Sequence, residues 1–171
     1  MVSADRITNT CCFLGHREIH EMGALKSQIY ALIEMLVVDK KVDTFLFGSK
    51  SRFNSLCYEI VTRIKEKYPH IQRVYVRAEF PVISNDYQKY LLEHYEHSYY
   101  PESIVGAGKA VYIRRNNSMI QNCQYCVFYY EEGYVPKGGK SGTKIALDYA
   151  KKLKKTIYIL PDWLSMDSFS V

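Results

Sequence analysis

Short runs of apolar, β-branched and aromatic residues punctuate the chain at Cys11–Leu14, Thr44–Phe47, Arg73–Val76, Cys126–Tyr130 and Thr156–Leu160. Each run is nearly continuous rather than alternating. A strand that is apolar at successive positions is covered on both faces, so the pattern predicts a parallel sheet between helices. Helical spacing fills the intervals. Leu25, Ile29, Leu32, Ile33 and Leu36 form one stripe. Leu56, Ile60 and Ile64 form a second, ending before Pro69, and Ile145, Ala146, Tyr149, Ala150 and Leu153 form a third. Strand–helix alternation of this kind predicts βαβ units with right-handed crossovers. The stretch from Phe80 to Asn122 is less regular. It predicts a helix over Tyr87–Tyr95, a loop at Gly106–Gly108 and a helix over Arg114–Asn122 feeding the fourth strand. With no internal repeat and no low-complexity linker, the expectation is one Rossmann-like α/β domain over 1–171. It would hold a five-stranded parallel sheet with helices on both faces.

Composition narrows the class. At 47% apolar and 24% charged residues the chain is not of the disordered type. No run approaches the roughly 20 apolar residues of a membrane span, and the first residues lack a signal-peptide pattern. A cytoplasmic protein with no membrane partner is expected. The five cysteines are odd in number and scattered, which argues against a disulfide framework and for a reducing compartment. Cys123 and Cys126 form a CxxC, read as the end of a helix and the start of a buried strand. No second CxxC or His pair completes a tetrahedral site, so no metal is expected. The net charge of +5, concentrated in Lys151, Lys152, Lys154 and Lys155, suits anionic ligands but is too small to imply nucleic acid. Tyrosines gather between Tyr87 and Tyr100. Tyr99 and Tyr100 could line a base pocket or an interface between copies of the chain, and self-association is the expected use.

The candidate chemistry lies in the segment from Tyr134 to Thr143, YVPKGGKSGT, which follows the fourth predicted strand and opens the third strong helix. Backbone N–H groups lack intrahelical partners at a helix start. Glycines let the chain turn tightly around an anion, and the helix dipole adds attraction. Gly138, Gly139, Lys140, Ser141, Gly142 and Thr143 are therefore candidate phosphate-binding residues. The turn fits neither GxxxxGK[ST] nor GxGxxG, which disfavours a Walker-type nucleotidase and an ordinary NAD dehydrogenase.

Four blocks, in order, resemble the SLOG superfamily, which joins the SMF/DprA proteins and the LOG phosphoribohydrolases, and are most similar to its YpsA-like branch. They are CFLGHR at Cys12–Arg17, FLFGS at Phe45–Ser49, RRNNSM at Arg114–Met119, and GGKSGT at Gly138–Thr143. The resemblance runs from about Cys11 to Leu160. It implies a sheet ordered 3-2-1-4-5 and a nucleotide-type ligand in the crevice at the strand C-terminal ends, where open α/β sheets bind ligands. Gly15, His16 and Arg17 would face Glu131–Thr143 across that crevice, with Gly48, Ser49 and Arg52 at its side. Arg17 would pair with a phosphate. His16 would bond a ribose or base, or serve as a structural histidine. Arg114 and Arg115 would offer a second phosphate clamp, one of the two being solvated because helix neighbours point different ways.

LOG enzymes carry glutamates just after the glycine turn, and N-glycosidic cleavage needs such a carboxylate. Here Thr143 is followed by Lys144, Ile145, Ala146 and Leu147, with Asp148 more than a turn into the helix. The expected role is therefore a sensor or sequestering protein for an ADP-ribose-like, NAD-like or cyclic-nucleotide signal, as SLOG domains serve in bacterium–phage conflict. It would need no further cofactor. The alternatives are a nucleotide N-glycosidase using Glu131 or Glu132, and a DprA-like single-stranded DNA binder, which the lack of a basic stripe disfavours.

Overall fold

A computed structural model describes residues 4–20, 22–133 and 141–162. After a short helix α1 (Ala4–Ile7), the chain runs β1 (Thr10–Gly15), α2 (Met22–Val38), β2 (Thr44–Phe47), α3 (Arg52–Lys67) and β3 (Gln72–Val76). It continues with α4 (Asn85–His94), β4 (His97–Tyr99), two 3₁₀ turns at Glu102–Ile104 and Gly108–Ala110, α5 (Val111–Gln121), β5 (Tyr125–Tyr129), α6 (Gly142–Lys152) and β6 (Thr156–Leu160). All strand pairs are parallel, in the order β4-β3-β2-β1-β5-β6.

Among the described residues the sheet has six strands rather than the five expected. Removing β4 leaves the expected order. β4 escapes a periodicity test because it is three residues long and only half-buried. Its place is fixed from outside the strand. The Arg73 backbone N–H donates to the Glu96 carboxylate at 3.1 Å, and the Arg73 guanidinium reaches the same carboxylate at 3.1 and 3.2 Å. The Glu96 N–H returns a bond to the Arg73 carbonyl at 2.9 Å, and the Arg77 N–H closes the other end on the Tyr99 carbonyl at 2.9 Å. Such charge-assisted, bidentate bonding holds a strand too short to hold itself.

Side chains alternate across β1. Cys11 and Phe13 enter a layer with Phe45, Phe47, Phe53 and the inner face of α2, while Cys12 and Leu14 enter the opposite layer with Leu46, Met119, Ile120 and Ala146. Both layers are buried, which is why the predicted strands read as unbroken apolar runs. From β1 the chain winds outward through β2, β3 and β4, then returns to place β5 on the other side of β1. That reversal is the switch point at which open α/β sheets leave a crevice. Among the described residues no helix is long and apolar enough to cross a membrane.

Asn54 joins the two turns at this end of the sheet. Its buried amide donates to the Phe13 carbonyl at 3.0 Å, its carbonyl accepts the Gly48 N–H at 3.3 Å, and its own N–H is capped by the Ser51 hydroxyl at 3.1 Å. Asn54→Ala would strand two buried backbone groups. Each unsatisfied group costs about 1–3 kcal/mol, so chemical denaturation should show a loss of about 3 kcal/mol. A loss comparable to an exposed substitution would show that water replaces the amide.

Candidate functional site

A crevice of about 1200 Å³ opens at the C-terminal ends of the strands. The turn after β1 lines it with Gly15, His16, Arg17 and Glu18, and the turn after β2 with Gly48–Ser51. Tyr75 and Arg77–Phe80 contribute from β3 and its exit, Tyr87 from α4, Tyr112, Arg115 and Asn116 from α5, and Ser141–Thr143 from the start of α6.

At the start of α6, Ser141 is the N-cap. Its hydroxyl accepts the Lys144 N–H at 3.1 Å, so one of the open amides is closed by the protein itself. The N–H groups of Gly142 and Thr143 have no partner among the described residues. Thr143 is nearly buried at the crevice wall, and its hydroxyl adds a donor. No acidic residue lies in the first turn. Gly138, Gly139 and Lys140 lie outside the described residues.

Arg115 is the strongest electrostatic feature. Its side chain is buried, with the residue only 5% exposed, yet no carboxylate lies within ion-pair distance of it among the described residues. It donates to the carbonyls of Gly48 and Val76 and to the Asn116 side-chain oxygen. Tyr112 lies 5.9 Å from its guanidinium carbon. Burial lowers its pKa, with partial compensation from nearby Tyr75, Tyr112 and Glu79. A guanidinium stays charged even so, and a buried charge without a counter-charge is costly. Carbonyl dipoles hold it in place while its charge remains available to the crevice.

The other expected residues divide. Arg17 is exposed at the crevice wall with no carboxylate partner among the described residues, and its carbonyl accepts the Arg52 N–H at 3.1 Å. Ser49 lines the crevice, where its hydroxyl accepts the Ser51 N–H at 3.0 Å. The side chains of Arg52 and Arg114 are exposed and do not line the crevice. Gly15 and Gly48 line the crevice and also leave no room for a side chain on the inner side. A Cβ at Gly15 would sit 2.5 Å from the Phe53 ring, and one at Gly48 would sit 2.9 Å from Arg115 Cδ.

His16 has a structural bond. It is 4% exposed, its Nε2 accepts the Glu131 N–H at 3.1 Å, and its ring packs against Tyr129 and Tyr130. The bond ties the exit of β1 to the exit of β5. Burial lowers the imidazole pKa below 6.5, only partly opposed by Glu131. The unfolded chain therefore binds a proton more readily than the folded one. The neutral form's contribution is complete above the unfolded value and is lost as pH falls below it. Urea midpoints should fall between about pH 7 and about pH 5 in the wild type and fall less in His16→Gln. Parallel pH profiles would exclude His16 as the source.

Glu131 accepts from the Tyr129 hydroxyl at 2.7 Å and contacts His20 at 3.2 Å. The Tyr129 bond is the main reason its pKa lies below the usual carboxylate range. Glu132 is exposed, and neither acid lines the crevice.

Arg77, Tyr75 and Tyr112 are lining residues that sequence reasoning did not single out. The Arg77 Nε is buried without a partner, while the rest of the group donates to the Phe80 carbonyl at 2.9 Å and lies over the Tyr100 ring at 5.6 Å. The available signal was position, since Arg77 directly follows a strand whose end must reach the crevice. Lys50 is neutralised by Glu79 at 2.7 Å. The lining therefore carries Arg17, Arg77 and Arg115 against Glu18, with tyrosine faces between them.

No protein-family model matches the chain, and no curated protein matches its sequence.

Proposed function

We propose that this crevice binds a phosphate-bearing, nucleotide-derived molecule such as ADP-ribose, NAD or a cyclic dinucleotide, and holds it without cleaving it. The observation that carries the reading is that the buried Arg115 and the amides of Gly142 and Thr143 share one crevice and, among the described residues, meet no carboxylate and no acceptor respectively. Arginine and helix-start amides are the groups that phosphate recognition uses. The volume exceeds the usual few hundred to 1,000 Å³ of small-molecule pockets, which favours a ligand longer than a mononucleotide. Tyr75 and Tyr112 supply aromatic faces for a base. The resemblance of the four sequence blocks to the SLOG superfamily supports the same ligand class and a role in sensing or sequestering a signal.

The acids support holding without cleavage: of those lining the crevice, Glu79 is paired with Lys50 and Glu18 lies exposed at the wall. Glu131 is held as a carboxylate and points its oxygens at Tyr129 and His20, which suits neither a proton donor nor a nucleophile in the crevice. Calorimetry with ADP-ribose, NAD and cyclic dinucleotides should give one-to-one binding to at least one of them. Chromatography of the mixture should recover the ligand intact. Folded protein that takes up none of the three would contradict the reading, and released base would replace it with the glycosidase.

A further inference from the structure

On the side of the sheet away from Phe13, Cys12, Cys123 and Cys126 converge. Cys12 and Cys126 are register partners on β1 and β5, and Cys123 arrives from the turn that follows α5. The Cys123 Sγ lies 3.3 Å from that of Cys12 and 3.6 Å from that of Cys126, and all three sulfurs fall within 4.8 Å of one another. All three are free thiols with no exposed surface. Cys12 is three residues up the strand from Gly15, roughly 10 Å along β1 from the crevice, so this is a separate place in the fold.

A buried cysteine alone behaves as a small hydrophobe, as Cys57 does here. Three converging sulfurs are different, because they enclose one point. An ion about 2.3 Å from each of three sulfurs in one plane needs them roughly 4.0 Å apart, so the two Cys123 contacts must lengthen by about 0.4–0.7 Å, within the reach of small side-chain rotations. Two neighbours suit a charged occupant. Burial pushes the Cys123 thiol up, and the charge of the Lys155 ammonium opposes that at Cys123 and adds to the thiolate preference at Cys126. The Tyr99 hydroxyl is buried without a hydrogen-bond partner among the described residues and lies within Coulombic reach of Cys123 and Cys12.

We propose that Cys12, Cys123 and Cys126 form a trigonal thiolate site for a soft metal ion, Cu(I). Sulfur donors select soft ions. No fourth His, Cys, Asp or Glu joins the set among the described residues, and structural zinc almost always takes four ligands. Cu(I) accepts three. Each thiol that becomes a ligand gives its proton to solvent, so occupancy tightens as pH rises. This differs from the expectation of no metal, which considered the CxxC alone and could not see the third sulfur that sheet register brings from β1.

The test is an anaerobic titration of the reduced full chain with Cu(I) against a competing chelator, followed by X-ray absorption at the copper edge. One ion per chain is expected, with three sulfur neighbours at about 2.3 Å. Cys123→Ala should weaken binding by roughly 100-fold or more, while Cys57→Ala, a buried thiol outside the set, should leave it unchanged. Circular dichroism establishes that each variant is folded. If Cys123→Ala does not fold, the wild-type spectrum decides. Fewer than three sulfur neighbours, or nitrogen or oxygen in the shell, would overturn the site. So would equal affinity in folded Cys123→Ala, or tight zinc retention with no uptake of Cu(I).

Discussion

Gly15→Ala is expected to destabilise the protein by about 3 kcal/mol, at the upper end of what overpacking a core costs. The added methyl would lie 2.5 Å from Phe53 Cδ2, 2.7 Å from its Cγ and 2.9 Å from its Cβ. Because the clash includes Cβ, turning the ring does not relieve it. The ring is also confined, stacking on Tyr129 at 5.8 Å between centroids and meeting Phe13 edge-on at 6.5 Å. Relief requires α3 to move from the sheet, which disturbs the Asn54 bonds to Phe13 and Gly48. Denaturant titration of Gly15→Ala, Phe53→Ala and the double variant measures the share of the clash that Cγ and the ring carry. The double variant should be more stable than the sum of the two losses allows, by about 1 kcal/mol or more. Simple additivity would mean that the methyl is accommodated without touching Phe53.

Arg115→Met should separate binding from folding. Truncating a buried charge that meets an opposite charge typically costs 2–5 kcal/mol of affinity, so nucleotide binding should weaken by about 100-fold or more. Folding should suffer less. The Gly48 and Val76 carbonyls lose a donor, but the chain no longer has to bury an unpaired charge. A net loss of about 1–2 kcal/mol is expected. Arg115→Lys keeps the charge without the planar fork and should fall between wild type and Arg115→Met in affinity. Arg114→Met and Arg52→Met remove exposed charges outside the crevice and should change stability by less than about 0.5 kcal/mol. Wild-type affinity in Arg115→Met would reduce Arg115 to a bracket between the ends of β2 and β3.

The difference between Arg114 and Arg115 shows how far the sequence could be read. Both precede the same buried strand, and charge alone does not rank them. Helical spacing does. Arg115 stands three and four positions before Ser118 and Met119, and these three with Ile120 are the buried residues of α5, while Arg114 is exposed. The strands of the double-faced core were legible for a similar reason, since continuous apolar runs leave one reading. β4 was not legible because an Arg73–Glu96 pair, rather than any pattern of its own, docks it. The partner of His16 is a backbone N–H delivered by the pairing of Gly15 with Tyr129, and the third sulfur at Cys123–Cys126 comes from the pairing of Cys12 with Cys126. Register links residues more than a hundred positions apart and leaves no local signal. The glycines at positions 15 and 48 were visible as small residues in turns. That they also make room for Phe53 and Arg115 required the packing.

Amide resonances followed during titration with ADP-ribose, NAD and a cyclic dinucleotide test the phosphate crevice most directly. The expected result is saturable movement of the Gly142 and Thr143 N–H signals and of the Arg115 Nε–H signal at one common affinity. The Lys144 N–H, already held by Ser141, should move less. Saturable binding that leaves Gly142, Thr143 and Arg115 unmoved would place the ligand elsewhere and contradict the phosphate assignment.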